Sequence, residues 1–306
     1  MPCYKPVRGW QSTVPNANGK YPVYFSPSLT AAKAVDLPCG QCIGCRLERS
    51  RQWAVRINHE AQMYEQNCFI TLTYNNENLP HDGSLNKRHF QLFMKRVRKH
   101  FRGRKIRYFQ CGEYGENLSR PHYHACMFNL EFADKEYWSE RNGYKYYRSP
   151  LLEKLWGKGM CIIGDLTFES AAYVARYCVK KVTGKPAKKH YQVFNTETGE
   201  RFDIEPEYVT MSRRPGIGKP WLDRFKKEVY PADEVISRGH PAKPPRFYDK
   251  EIEKLEADTM AAVKEERRKF AWLHKEDSTD KRLKQREAVK QAQTGQLRRN
   301  LEEISR

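Results

Sequence analysis

The segment "RPHYHACMF", residues 120–128, places His122 and His124 one residue apart inside an apolar run. In an extended chain residues i and i+2 point to one face, so the two imidazoles stand side by side, with Cys126 and Phe128 beyond them. Two imidazoles on one face suit a metal ion. A chain with 9 histidines in 306 residues produces about 0.26 such pairs by chance, so the pair needs support from elsewhere.

A second group is Cys39, Cys42 and Cys45 in "CGQCIGC". Chance supplies under about 0.01 such triplets, which makes this spacing much more specific. Three thiolates need a fourth ligand to complete a tetrahedral Zn²⁺ site. Cys3 is the candidate, because the first 38 residues have little other structure and a tether there would order them; Cys68 is an alternative. Such a site is structural. An iron–sulfur site or unliganded buried cysteines are the competing readings. Cys111, Cys126, Cys161 and Cys178 lie in apolar contexts and read as core residues.

A third group is Tyr173 and Tyr177 in "AAYVARYCVKK". On a helix they project from one face about a turn apart, and Lys180 follows Tyr177 by three residues. Paired phenols next to an ammonium invite nucleophilic chemistry. With 18 tyrosines about one such spacing arises by chance, so order along the chain must decide.

Several elements are needed to position these residues. "CFITLTY", residues 68–74, is β-branched and aromatic and reads as a strand. "KIRYFQCGE", "HYHACMFNL" and "MCIIGDLTF" read as three more. Helices are predicted from Arg46 to about Gln66, from a cap at Ser84 or Asn86 to Phe101, over "SPLLEKLW" and over "ESAAYVARYCVKKV". In the second helix Phe90, Phe93, Met94, Val97 and Phe101 form one stripe. The order β, α, β, β, α, β, α over 68–182 implies an α+β domain, an antiparallel sheet with helices on one side. Four regions are expected: a Cys-rich segment and helix over 1–67, a core over 68–183, a basic Gly/Pro-containing extension over 184–245, and a charged tail over 246–306. The start of the chain reads as irregular and the tail as a solvated helix or disordered.

Composition narrows the partner. The net charge is +19, with 56 Lys and Arg against 37 Asp and Glu. Mean hydropathy is −0.87 and the pI is near 9.5. Such an excess implies a polyanion, most often nucleic acid. Aromatics at 12% favour single-stranded nucleic acid, whose bases stack on rings. No apolar run approaches a membrane span, and "MPCYKPVRGWQ" lacks the apolar core of a signal peptide, so a cytoplasmic protein without a membrane partner is expected.

The order of motifs resembles the HUH endonucleases, the nickases that start rolling-circle replication. "FITLTY" sits where that family has its first motif, "RPHYH" looks like its second, and "YVARYCVKK" looks like its third in the two-tyrosine form. "PCGQCIGCRLERSRQWAVRI" and "MSRRPGIGKPW" are similar to the replication initiation proteins of gokushovirus-type Microviridae. The likeness is scattered over roughly residues 1–220.

The resemblance implies a site-specific nick in phage-origin DNA, with a 5′-phosphotyrosine and a free 3′-OH as products. Tyr173 and Tyr177 would alternate as nucleophiles, and Lys180 would stabilise phenolate or phosphate. His122 and His124 would hold Mg²⁺ or Mn²⁺, ions that favour some oxygen ligation. Glu113 is the expected third ligand, since pairing of the two strands through 114–120 returns it next to His122; Glu116 is the fallback. Arg176, Arg213 and Arg214 are expected to contact DNA. No Walker-type phosphate loop occurs, so a host helicase and a host DNA polymerase are expected partners in the bacterial cytoplasm. A non-catalytic zinc-knuckle DNA binder and a transposase or relaxase are the competing functions.

Overall fold

The computed structural model describes residues 3–26, 31–115, 119–180, 182, 184–194 and 199–296, without the side chains at 31, 32, 177–180 and 185. The elements run β1 (Val7–Ser12), β2 (Val23–Tyr24), β3 (Ala31–Leu37), α1 (Ile43–Ala61), β4 (Asn67–Thr73), α2 (Lys87–His100), β5 (Arg107–Tyr114) and β6 (Pro121–Phe128). Then come β7 (Glu136–Arg141), β8 (Tyr144–Arg148), α3 (Pro150–Trp156), β9 (Cys161–Gly164), α4 (Phe168–Lys180), α5 (Lys185–His190), β10 (Gln192–Phe194), β11 (Arg201–Asp203) and β12 (Tyr208–Met211). The last are α6 (Lys219–Val229), β13 (Val235–Ser237), β14 (His240–Ala242), α7 (Arg246–Leu255), α8 (Ala257–Leu273) and α9 (Asp280–Gly295). Two compact units result: residues 1–49 with 265–298, and residues 50–264. No helix among the described residues is long and apolar enough to cross a membrane.

The larger unit is built on a seven-stranded sheet of order β12-β5-β6-β4-β9-β8-β7, antiparallel at every pairing. The α+β fold and the antiparallel sheet are as expected. The helices, expected on one side, pack on both. The reason lies in the central strands, where alternate residues on either face are apolar. Ile70, Leu72, Tyr123, Ala125 and Met127 pack with Phe90, Phe93, Met94 and Val97 of α2 and with Leu152, Leu155 and Trp156 of α3. Phe69, Phe109, Cys111, Cys126 and Phe128 pack with Ile57 of α1 and with Ala171, Tyr173 and Val174 of α4. A sheet buried on both faces needs two helical layers.

Helix α2 starts where the Asn86 side chain accepts from Arg88 N at 3.0 Å, an N-cap that satisfies one orphan amide. Tyr123, the residue between the two histidines, faces this side. Its hydroxyl accepts from Asn86 N and donates to Asn86 O, both at 3.0 Å, and lies 2.8 Å from the Tyr74 hydroxyl. One polar atom thus fixes β6 against the start of α2.

The β12–α6 connection carries "SRRPGIGKP" and is held by buried charge. Arg107 Nε donates to Glu60 Oε1 at 2.5 Å, with side chains 3% and 0% exposed. Glu60 Oε2 accepts Gly218 N at 2.7 Å, Arg107 Nη2 donates to Pro215 O at 2.9 Å, and Arg56 Nε donates to Ile217 O at 2.9 Å. Gly218 has φ +79°, and a Cβ there would come within 2.6 Å of the Tyr248 hydroxyl, so only glycine fits. Removing one partner of a buried pair strands the other charge, at a cost of about 3–5 kcal/mol. Glu60→Ala is therefore expected to lower Tm by roughly 10 °C. A shift under about 2 °C in a thermal melt would mean that water already reaches the pair.

Two stretches differ from the sequence reading, and the tail takes one of its two expected forms. The start of the chain, expected as irregular, carries β2, β1 and β3 in a small antiparallel sheet. Residues 136–148 form the β7–β8 hairpin, turned at Asn142 (φ 55°) and Gly143 (φ 79°). The described part of the tail takes the helical alternative, and part of it packs: Tyr248 and Ile252 of α7 and Met260 and Val263 of α8 are buried.

Candidate active site

Strand pairing does the positioning. Glu113 and His122 sit directly opposite each other in the β5–β6 register, and His124 faces Thr71 across β4. All three site residues lie on the face covered by α1 and α4. Glu113 is 2% exposed, His122 5% and His124 3%.

Both imidazoles converge on one oxygen. Glu113 Oε1 lies 2.8 Å from His122 Nε2 and 2.7 Å from His124 Nε2. Their ligand atoms form a cluster within 4.8 Å. His122 Nδ1 lies 3.1 Å from Arg120 O, a carbonyl, so that nitrogen carries the proton. Its Nε2 faces the carboxylate of Glu113. His124 Nδ1 is likewise engaged, by Thr71 Oγ1 at 2.9 Å. An outer partner on Nδ1 that leaves Nε2 free for a metal is the common arrangement of ligating histidines. Glu113 Oε2 is buried with no hydrogen-bond partner among the described residues. Burial of the carboxyl would raise its pKa, yet His124 and then His122 outweigh that and hold it down to about 2. A charged, partly orphaned carboxylate between two imidazoles fits a divalent cation.

Tyr173 completes the constellation. Helix α4 begins with a reciprocal cap in which Thr167 N donates to Ser170 Oγ at 2.8 Å and Ser170 N to Thr167 Oγ1 at 3.2 Å. This sets the helix register, and Ala171 and Val174 pack on the sheet beside Tyr173. The Tyr173 hydroxyl donates to Glu113 Oε1 at 3.2 Å and lies 3.5 Å from His124 Nε2. Its ring meets His124 edge-on at 5.1 Å between centroids. Tyr173 as a whole is 4% exposed, so a phosphate reaches it only by displacing part of its cover. Arg176 is half-buried, with its guanidinium 5.8 Å from the centre of the Tyr173 ring. Tyr177 and Lys180 belong to α4 by backbone, but their side chains lie outside the described residues, as does Glu116 altogether. Arg213 and Arg214 are exposed on the anchored loop.

The second cluster lies in the unit of residues 1–49 and 265–298. Cys3, Cys39, Cys42 and Cys45 bring their sulfurs within 4.8 Å of one another. Cys3 takes the fourth place; Cys68 is buried in the sheet core. Main-chain amides point at the sulfurs: Tyr4 N to Cys42 at 3.3 Å, Cys39 N to Cys3 at 3.3 Å, and Cys42 N to Cys39 at 3.3 Å. Burial disfavours a thiolate at Cys42, but the amide of Tyr4 and neighbouring donors bring its pKa down to about 7. Burial, with the adjacent thiols, pushes Cys45 far up. One thiolate among four close sulfurs resists a second, and a cation removes that resistance, so the donor set fits a soft divalent metal.

Thr71 was not among the residues singled out from sequence. Its signal was available, since it is a polar residue inside the apolar strand "CFITLTY".

The family described as "Replication-associated protein ORF2/G2P" matches residues 67–182, which hold β4 to α4 and the whole His/Glu/Tyr constellation. Replication-associated protein ORF2 of Spiroplasma virus 4 is 34% identical over 250 residues, 77% of this chain and 74% of that protein. The chain belongs to the phage replication-associated proteins of the Microviridae type. Two further members of the family fit the same placement. Replication-associated protein VP4 of Bdellovibrio phage phiMH2K is 33% identical over 258 residues, 81% of this chain and 76% of that protein. Replication-associated protein ORF4 of Chlamydia phage 1 is 36% identical over 154 residues, 47% of this chain and 38% of that protein. No solved structure matches the chain.

Proposed function

We propose that this protein initiates rolling-circle replication by nicking single-stranded or supercoiled circular phage DNA at its origin in the bacterial host cytoplasm. The observation that carries the reading is the convergence of His122, His124, Glu113 and the Tyr173 hydroxyl on one point. His122, His124 and Glu113 would hold Mg²⁺ or Mn²⁺, which supplies Lewis-acid polarisation of the scissile phosphate. The chain's own residues do the rest. A tyrosine oxygen gives up its proton and bonds to phosphorus while the P–O3′ bond breaks, and the departing O3′ takes a proton from water, which leaves a 5′-phosphotyrosine and a 3′-OH. The Tyr173 proton already has an acceptor, Glu113 Oε1, at 3.2 Å. Lys180, one turn beyond Tyr177, would stabilise phenolate or phosphate charge. Arg176, Arg213 and Arg214 would hold the DNA backbone. The 3′-OH would prime a host polymerase, with unwinding by a host helicase, and the phosphotyrosine would keep the bond energy for strand transfer. The test is incubation with single-stranded origin DNA and Mn²⁺: a covalent protein–DNA band on a denaturing gel is expected, and free cleaved DNA alone would overturn the reading.

Zn²⁺ is the proposed occupant of Cys3, Cys39, Cys42 and Cys45. One zinc per chain is expected by elemental analysis; iron, or no metal, would refute the assignment.

DNA affinity is expected to fall steeply with salt as bound counterions are released. Arg213→Ala and Arg214→Ala should each reduce the slope of log affinity against log salt by about 1. A slope unchanged in the double variant would remove the 213–218 loop from the DNA-binding surface.

A further inference from the structure

Helix α9 presents Arg282, Gln285, Arg286, Val289, Lys290 and Gln293 at three- and four-residue spacing, so they share one face. Together with Tyr4 they line a groove of about 340 Å³ within the unit of residues 1–49 and 265–298. Elsewhere on the helix, Leu283 is buried and Glu287 pairs with Lys5 at 3.3 Å. Asp277 gathers the two guanidinium groups: its carboxylate accepts from Arg282 Nη2 at 3.2 Å and its carbonyl from Arg286 Nη1 at 3.0 Å. Among the described residues no carboxylate pairs with Arg286 or Lys290. The groove is therefore cationic. Its aromatic member is fixed by the thiol cluster, since Tyr4 N donates to Cys42 Sγ at 3.3 Å and Tyr4 packs against the cysteines.

The geometry points to a second binding surface for single-stranded DNA in this groove, outside the His/Glu/Tyr site, with Tyr4 as the stacking ring and Arg282, Arg286 and Lys290 as phosphate contacts. An unpaired strand offers each of these groups a counterpart. Its phosphates meet the cations, its base faces meet a ring, and its base edges meet the amides of Gln285 and Gln293. A duplex hides its base faces, and an acidic peptide would use the cations but not the ring. The cysteine cluster thereby gains a role: by ordering the backbone at Tyr4 it builds one wall of a DNA groove. This inference rests on the DNA-processing function proposed above.

The experiment uses the full chain with His122→Ala, which stops cleavage, and a fluorescein-labelled 30-nucleotide single strand read by anisotropy. Tyr4→Ala is expected to weaken binding ~10-fold, as removal of one stacking ring does, and Tyr4→Phe to leave it unchanged. Arg286→Glu with Lys290→Glu is expected to weaken it ~10-fold or more and to flatten the salt dependence by about 0.7 for each phosphate no longer neutralised. Circular dichroism spectra and thermal melts of the groove variants that match the parent protein would confirm an intact fold. Unchanged affinity in both groove variants, while Arg213→Ala/Arg214→Ala weakens it, overturns the groove alone. Loss of poly-glutamate binding without loss of DNA binding also overturns it. Wild-type protein that neither binds nor cleaves the strand overturns the underlying function as well.

Discussion

Replacing His122 or His124 with alanine is expected to reduce cation-dependent DNA cleavage by about 10³-fold or more, because a bound cation contributes several kcal/mol of transition-state stabilisation. The two imidazoles converge on Glu113 Oε1 at 2.8 and 2.7 Å, and each is braced at Nδ1. Removing either ring takes one of three donors and opens a void beside a buried carboxylate. DNA affinity should stay within about twofold, since it rests on phosphate contacts made by cationic residues elsewhere. Glu113→Ala should act more mildly, by raising the cation concentration needed for half-maximal cleavage, because both nitrogen donors remain. Cleavage rates measured across a Mn²⁺ titration decide the matter. Full activity in both histidine variants would remove them from the reaction.

The second large effect concerns the tyrosines. Tyr→Phe deletes one oxygen and keeps the ring, so the edge-on contact of residue 173 with His124 survives. Tyr173→Phe and Tyr177→Phe should each leave measurable nicking of a simple oligonucleotide, and the double variant none, a loss of at least ~10⁴-fold. Repeated strand transfer needs one tyrosine free while the other carries DNA, so either single variant should fail in it. Tyr173 is the expected first nucleophile, since its oxygen already borders the His/Glu cluster. Equal strand transfer by wild type and both single variants in a two-round assay would contradict the division of labour.

Much of this site was legible in the sequence for a physical reason. A period of two puts His122 and His124 on one face, and a short connection forces Glu113 opposite His122, so three residues follow from local geometry. The cysteine spacing was informative because it is rare, and Cys3 was within reach of it. What escaped depends on contacts distant in sequence. β1 and β3 are short and of mixed composition, and they hold together by pairing with each other across the intervening residues. Residues 215–218 are held by Glu60, Arg107 and Arg56, charged side chains whose burial no composition reveals. The tail was open to a helical reading, but the packing of α7 and α8 rests on a few apolar side chains among many charges, so their amphipathic stripe is thin. The β7–β8 hairpin is different. Its Asn142-Gly143 turn is a strong local signal, legible in "SERNGYKYY" although no strand was expected there.

The most direct measurement is mass spectrometry of the peptide that carries DNA after wild-type protein reacts with single-stranded origin DNA and Mn²⁺ and is digested. The expected result is a nucleotide adduct on Tyr173 or Tyr177, absent from the double Phe variant. An adduct on any other residue, or 5′ ends that carry no protein, would contradict the assignment of this chain as a tyrosine nickase.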